Sequence, residues 1–216
     1  WQDNVKVFFI SGNDKMARTV RKSKVRLRQK GVQEADIISI VNSITKYAVM
    51  VDDENDIAYH LEKAKFIAEN GRPGPVWIDV PQDIQGAYIE TTVLRHYEAN
   101  ENENNCFINL NVSKKEIDGF IEDIEMSKRP VIIAGNGIRL GNAVNDFKLL
   151  IDRFKIPVVA TYLGIDILPY NHPQFIGRTG IKGDRAGNFA MQNSDLLISF
   201  GSRLSIGTTG YEKETF

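Results

Sequence analysis

Cysteine is almost absent from this sequence. Its one thiol, Cys106, can neither close an internal disulfide nor build a thiolate metal site, which fits a reducing compartment. The three histidines, His60, His96 and His172, never fall at metal-ligand spacing, and none is paired in sequence with a nucleophile. No metal ligand is therefore assigned. Ser11, Ser202 and Ser205 lack a G-x-S-x-G context, so no self-contained hydrolytic site is expected. An excess of charge is missing too. The chain carries 27 Lys and Arg against 28 Asp and Glu, a net charge of −1, which argues against a dedicated nucleic-acid binder. No apolar run approaches the roughly 18 residues of a membrane span, and there is no secretory signal. A cytoplasmic protein with no membrane or nucleic-acid partner is the expectation.

What is present is an alternation of short β-branched runs with amphipathic stretches, in 216 residues of which 42% are hydrophobic. Strands are expected at Val5–Ile10, ending in a Ser11-Gly12-Asn13 turn, at Tyr47–Val51 and at Pro75–Val80. Helices are expected at Asp36–Ile44 and Glu54–Asn70, where apolar residues recur at spacings of three and four. From Gly86 to Val112 the pattern breaks. Asn100 to Asn105 is acidic and amide-rich, and 86–112 is read as a linker between domains. The alternation then resumes. Ser113 and Glu116 stand at capping-box spacing. Strands follow at Pro130–Ala134, Pro157–Ala160 and Asp195–Phe200, and helices at Asn142–Phe154 and Ala186–Asn193. Such alternation predicts α/β architecture, with parallel-sheet, Rossmann-like units. A partial N-terminal domain over 1–85 would precede a doubly wound central domain over 113–216.

Ligands of open parallel sheets sit at the carboxyl ends of the strands. Three turns there are glycine-rich. Gly135-Asn136-Gly137 with Gly141 is one residue off the dinucleotide fingerprint. Gly177-Arg178-Thr179-Gly180 followed by Gly183 reads either as a ligand turn or as a flexible surface loop. Gly201-Ser202-Arg203 brings an arginine able to pair with a phosphate. Together they favour a nucleotide or phosphate site. Seven basic residues lie between Arg18 and Lys30 without an acid, but no aromatic interleaves them. The acidic residues Asp52, Asp53, Glu54 and Asp56 could offset them, so a solvated or subunit-facing loop is the preferred reading.

Three blocks then occur in order: Gly31-Val32-Gln33-Glu34-Ala35-Asp36, Ile44-Thr45-Lys46-Tyr47, and Gly71-Arg72-Pro73-Gly74-Pro75-Val76-Trp77-Ile78-Asp79-Val80-Pro81. With 130–137, 156–161 and 194–204 they resemble the thiamine-diphosphate-dependent family of acetolactate synthase and its relatives. The resemblance covers nearly the whole chain. It identifies 1–85 with the second half of the pyrimidine-binding domain and 113–216 with most of the central domain. It implies decarboxylation of pyruvate or a similar 2-oxo acid, followed by carboligation. A 2-oxo acid decarboxylase, and a non-catalytic FAD- or ADP-binding module, remain as alternatives. Thiamine diphosphate and Mg2+ would be held mainly outside this chain, with the activating Glu before Trp1 and the magnesium motif after Phe216. The chain alone would then be inactive, and the full-length protein a homodimer or homotetramer.

The resemblance matches Gln33 to a glutamine facing the reacting centre and Lys46 to a lysine near the substrate channel. Val32 stands where relatives have phenylalanine. Positions matching flavin contacts are Gly135, Asn136, Gly137, Thr161, Tyr162, Gly177, Arg178, Thr179, Gly180, Gly201, Ser202 and Arg203. Where synthases continue Arg-Phe-Asp-Asp-Arg, this chain reads Arg203-Leu204-Ser205-Ile206-Gly207. That departure leaves FAD, ADP or an empty central domain open.

Overall fold

The computed structural model describes residues 1–99 and 111–211. It divides into two compact units, Trp1–Asn109 and Leu110–Phe216.

The first unit begins with β1 (Phe8–Asn13) and two 3-10 turns, Met16–Arg18 and Val20–Lys22. Then come α1 (Ile37–Val41), β2 (Tyr47–Met50), α2 (Ile57–Glu69), β3 (Val76–Pro81) and α3 (Gln82–Gln85). The three strands are parallel in the order β1-β3-β2. The central strand carries the fully buried Val76 and Ile78, and α2 covers it with Ala64 and Ala68. Burial at Val76, Ile78 and Asp79, with Trp77 and Val80 partly covered, is what the apolar run of a central parallel strand leads to.

β1 lies three residues later than its apolar run suggests, and Ser11, Gly12 and Asn13 are strand rather than turn. The cause is Asp79, a carboxylate buried on β3. Ser11 Oγ donates to Asp79 Oδ1 at 2.6 Å and Asn13 Nδ2 to Asp79 Oδ2 at 2.7 Å. Trp77 Nε1 donates to Ser11 Oγ at 2.8 Å. A buried carboxylate is costly without donors, and pairing Phe8 with Val76 through Asn13 with Pro81 brings them alongside. α1 is also shorter than its periodicity suggests. Ile38 and Val41 are buried but Ile40 and Ile44 are exposed, so the apolar pattern overruns the helix. From the stretch read as a linker, His96 Nδ1 and the Tyr97 N–H donate to Glu62 of α2 at 2.7 and 2.8 Å. The Tyr97 ring stands 5.6 Å from both Tyr59 and Phe66. Residues 95–97 thus lie against α2, while the Asn100–Asn105 stretch falls outside the described residues.

The second unit starts with α4 (Lys114–Met126), whose capping box joins Ser113 and Glu116 as their spacing predicts. It continues with β4 (Pro130–Ala134), α5 (Gly137–Leu140), α6 (Val144–Phe154), β5 (Val158–Ala160) and β6 (Phe175–Arg178). α7 (Arg185–Gln192), β7 (Leu196–Phe200) and α8 (Ile206–Thr209) complete it. All four strands are parallel, in the order β6-β5-β4-β7. Alternate residues of β4 enter different cores. Ile132 and Ala134 join Phe147 and Ile151 of α6, whereas Val131 and Ile133 join Val159, with Ala190 and Met191 of α7 beside them. Both faces are covered, which makes this an α/β doubly wound sheet. β6 is a strand where a glycine loop was one of two readings. It is short, and its register against β5 shifts between Val158 and Val159, so its sequence shows no periodicity.

Candidate functional site

In the first unit the residues before α1 gather at the carboxyl edge of the sheet. Asn13, at the end of β1, donates from Nδ2 to Ala35 O at 3.0 Å as well as to Asp79. Glu34 is buried and accepts from the backbone N–H groups of Val20, Lys30 (2.9 Å) and Gly31 (3.2 Å). Burial works to raise the Glu34 pKa, but the three backbone donors outweigh it and hold the carboxylate ionised below its usual range. The segment bearing Gln33 is therefore held on both sides, at Lys30–Gly31 and at Glu34–Ala35, with Gln33 itself exposed. Lys46 stands at the opposite edge, just before β2. Its backbone N–H donates to Pro75 O at 2.8 Å. Its Nζ donates to Ile67 O and, at 2.6 Å, to Asn70 O, at the carboxyl end of α2. The structure does not bring Gln33 and Lys46 together.

In the second unit the twelve flavin-matching positions all fall along the carboxyl edge of one sheet. The chain moves from β4 outward to β5 and β6, then returns to place β7 on the other side of β4. The β4/β7 junction is thus a topological switch point, where open α/β sheets take ligands. Here the turns after the two strands interlock. Gly137 N donates to Gly201 O at 2.8 Å and Gly135 N to Phe200 O at 2.9 Å. A Cβ on Gly135 would lie 2.4 Å from Gly201 O, and one on Gly201, at φ +60°, would lie 2.4 Å from Ile138 N. These glycines serve backbone-to-backbone contact. Thr161 joins the edge through its N–H and Oγ1, both donating to Ala134 O, at 2.9 and 3.2 Å. Asn136 Oδ1 accepts from Arg139 Nη1 at 2.9 Å, and Arg139 in turn pairs with Asp166.

Arg178 and its neighbours are committed internally. The Arg178 backbone N–H, Nε and Nη2 donate to Asp184 at 2.9, 3.2 and 2.7 Å. This raises the Arg178 pKa and lowers that of Asp184, in each case chiefly through the side-chain hydrogen bond. Buried Thr179 donates to Asn188 Oδ1 and Met191 Sδ, and Gly180 N donates to Asn188 Oδ1 at 2.8 Å. By contrast, Arg203 makes no hydrogen bond or ion pair among the described residues and is exposed beside Ser202. Tyr162 is also exposed. The fit to a dinucleotide is partial. A phosphate can meet Arg203, but the glycine turns at 135–137 and 201 are closed on each other, and the Arg178 fork is filled.

Sequence reasoning passed over Glu34, Asp79, Asp184 and Asn188. The first two lie inside quoted motif blocks that gave them no role, and Asp184 stands six residues after Arg178. Acidic residues at those spacings could have been offered as loop clamps. Among the described residues no group of three or more His, Cys, Asp and Glu could hold a metal ion. No helix there is long and apolar enough to cross a membrane.

A doubly wound parallel sheet with a switch point at its carboxyl edge defines an α/β, Rossmann-like unit. Residues 117–216 match the family model for the thiamine pyrophosphate enzyme central domain. The acetolactate synthase large subunit of Lactococcus lactis is 34% identical over 178 residues, 79% of this chain and 29% of the relative. That of Buchnera aphidicola is 33% identical over 182 residues, 84% of this chain and 31% of the relative. The mitochondrial acetolactate synthase catalytic subunit of Saccharomyces cerevisiae is 32% identical over 183 residues, 82% and 26% of the two chains. These alignments are longer than the second unit, so they reach into the first. Residues 117–216 thus match a thiamine pyrophosphate enzyme central domain, and the chain across both units is similar to acetolactate synthase large subunits. It spans less than a third of the length of these curated relatives.

Proposed function

We propose that this chain is part of an enzyme that decarboxylates pyruvate or a similar 2-oxo acid and joins the product to a second carbonyl compound, as an acetolactate synthase does. The observation that carries the reading is similarity to acetolactate synthases running through both units. Thiamine diphosphate, bound with Mg2+ by residues mainly outside this chain, supplies the electron sink that decarboxylation needs.

The first unit's part is to present Gln33. Glu34 and Asn13 fix the loop on either side, so the Gln33 amide N–H can donate to a substrate oxygen at the carboxyl edge without searching for its place. Lys46 has a positioning part in this reading. Its ammonium satisfies carbonyls at the end of α2 and keeps that helix seated on the sheet. In the second unit, FAD or ADP would place a phosphate against Arg203 and Ser202, with Tyr162 beside it. Arg178, Thr179 and Gly180 would shape the edge from behind. The glycines at 135, 137, 177 and 201 would permit the close turns below.

The chain alone turns over no pyruvate in this reading, and the complete enzyme is a cytoplasmic homodimer or homotetramer. The test is product analysis on the complete reading frame with pyruvate, thiamine diphosphate and Mg2+. Acetolactate is expected, with Gln33→Ala losing most of kcat/KM. Release of acetaldehyde alone would replace carboligation with simple decarboxylation. Tight FAD or ADP binding with no turnover would favour a nucleotide-binding module.

A further inference from the structure

The basic segment of the first unit is left over from this reading, and we infer that residues 20–27 form a binding site for a small organic phosphate. The loop is built rather than loose. Buried Glu34 ties its two ends together by accepting from Val20 N–H at one and Lys30 and Gly31 N–H at the other. Arg21 pairs with Asp36 at 2.7 Å and Lys22 with Asp52 at 2.7 Å, while Lys30 Nζ donates to Ala17 O at 2.7 Å.

Those bonds sort the cations. Arg21, Lys22 and Lys30 are committed, and Asp36 is neutralised by Arg21. Lys24 and Arg26 have no hydrogen bond or ion pair among the described residues. Both line a shallow cavity of about 510 Å3, together with Val20, Val25, Leu27 and the Arg21–Asp36 ion pair. That volume lies in the range of small-molecule sites and exceeds what a bare inorganic ion or pyruvate fills. Two unpaired cations match the roughly −1.5 to −2 charge of a phosphate monoester at neutral pH. Arg26 offers a bidentate fork and Lys24 a point charge. Val25 and Leu27, 64% and 44% exposed, give the carbon skeleton an apolar wall. No aromatic ring lines the cavity, so the base-stacking platform of a single-stranded nucleic-acid site is missing.

The test is calorimetric titration of the 216-residue chain with ribose 5-phosphate, beside ribose, inorganic phosphate, pyruvate and a short single-stranded oligonucleotide. Ribose 5-phosphate is expected to bind one to one with Kd of about 1 mM or tighter at low salt. The double variant Lys24→Gln, Arg26→Gln is expected to weaken it about tenfold or more. Both side chains are exposed, so the variant should melt with the parent protein, and a thermal scan checks this. Ribose should give no heat, and phosphate and pyruvate should bind at least several-fold more weakly. Absence of binding, or binding unchanged in the double variant, overturns the site. So does phosphate or pyruvate binding as tightly as ribose 5-phosphate. Oligonucleotide binding that is tighter and lost in the same variant overturns it in favour of nucleic acid.

Discussion

A single methyl group added at two glycines of the second unit should move its stability in opposite directions. In Gly135→Ala the new Cβ would lie 2.4 Å from Gly201 O and 2.6 Å from Ser202 Cα, both backbone atoms. A carbon–oxygen contact normally begins at about 3.3 Å, so the turns after β4 and β7 would have to part by roughly 1 Å. The Gly137 N to Gly201 O bond, now 2.8 Å, would then leave hydrogen-bonding range. Its loss costs about 1 kcal/mol, and overpacking where no flexible side chain can yield costs a further 1–3 kcal/mol or so. The sum, about 2–4 kcal/mol, corresponds to a fall in Tm of roughly 10–20 °C for a unit of this size. Gly119 sits inside α4 with nothing within 4 Å of its ideal Cβ. There Gly119→Ala should raise stability by about 0.5–1 kcal/mol through helix propensity alone. Urea titration and thermal scans followed by far-ultraviolet circular dichroism would read both. A Gly135→Ala protein melting within about 2 °C of the parent would show that the β4 and β7 turns are not locked together.

Four further outcomes are expected. Asp79→Ala leaves Ser11 Oγ and Asn13 Nδ2 without their buried acceptor and should lower stability by about 2–4 kcal/mol in urea unfolding. Lys46→Met removes the donor to Ile67 O and Asn70 O and should cost about 1–2 kcal/mol by the same assay, which separates a positioning part from a purely chemical one. Asp195 is lowered to about 2 from 3.8, chiefly by the Ser127 hydroxyl and also by the Lys128 and Arg129 N–H groups. Its folded pKa lies below its unfolded one, so its stabilisation is present above about pH 4 and is lost as pH falls towards 2. The gap in urea midpoint between parent and Asp195→Asn should close across that window. Burial lowers the His60 pKa from its ordinary 6.5, with Tyr47 OH at 2.6 Å from Nδ1. The unfolded chain therefore takes up the proton first, so stability should decline as pH drops below about 6.5, and His60→Gln should flatten that decline.

Strand identity was legible where apolar residues ran unbroken. Val76 to Val80 and Pro130 to Ala134 are central strands covered on both faces, so no polar residue interrupts their pattern except Asp79. β1 and β6 were harder. β1 includes Ser11 and Asn13 because a buried carboxylate on its neighbour needs them, a demand that appears only when the strands pair. β6 holds Gly177 at φ +147° and a register shift, and neither leaves a periodic trace. The glycine turns were legible as the ligand edge, but not their closure. That Gly135, Gly137 and Gly201 face each other's backbone depends on β7 crossing back beside β4. Likewise the seven cations between Arg18 and Lys30 look alike in sequence. Only the folded loop separates Arg21, Lys22 and Lys30, which have partners, from Lys24, Arg26 and Arg28, which have none among the described residues, and of these only Lys24 and Arg26 line the cavity.

The sequence by itself determined the α/β class, most of the strands and helices, the helix cap at Ser113 and the resemblance to acetolactate synthases. Each of these rests on local spacing or on the order of motifs along the chain. The tertiary structure alone decided that Gln33 and Lys46 stand at opposite sheet edges and that Asp184 fills the Arg178 fork. It also decided that Arg203 has no partner among the described residues at the switch point. These depend on which strand lies beside which, and parallel pairing brings together residues as far apart as Asn13 and Asp79, whose meeting no local pattern records.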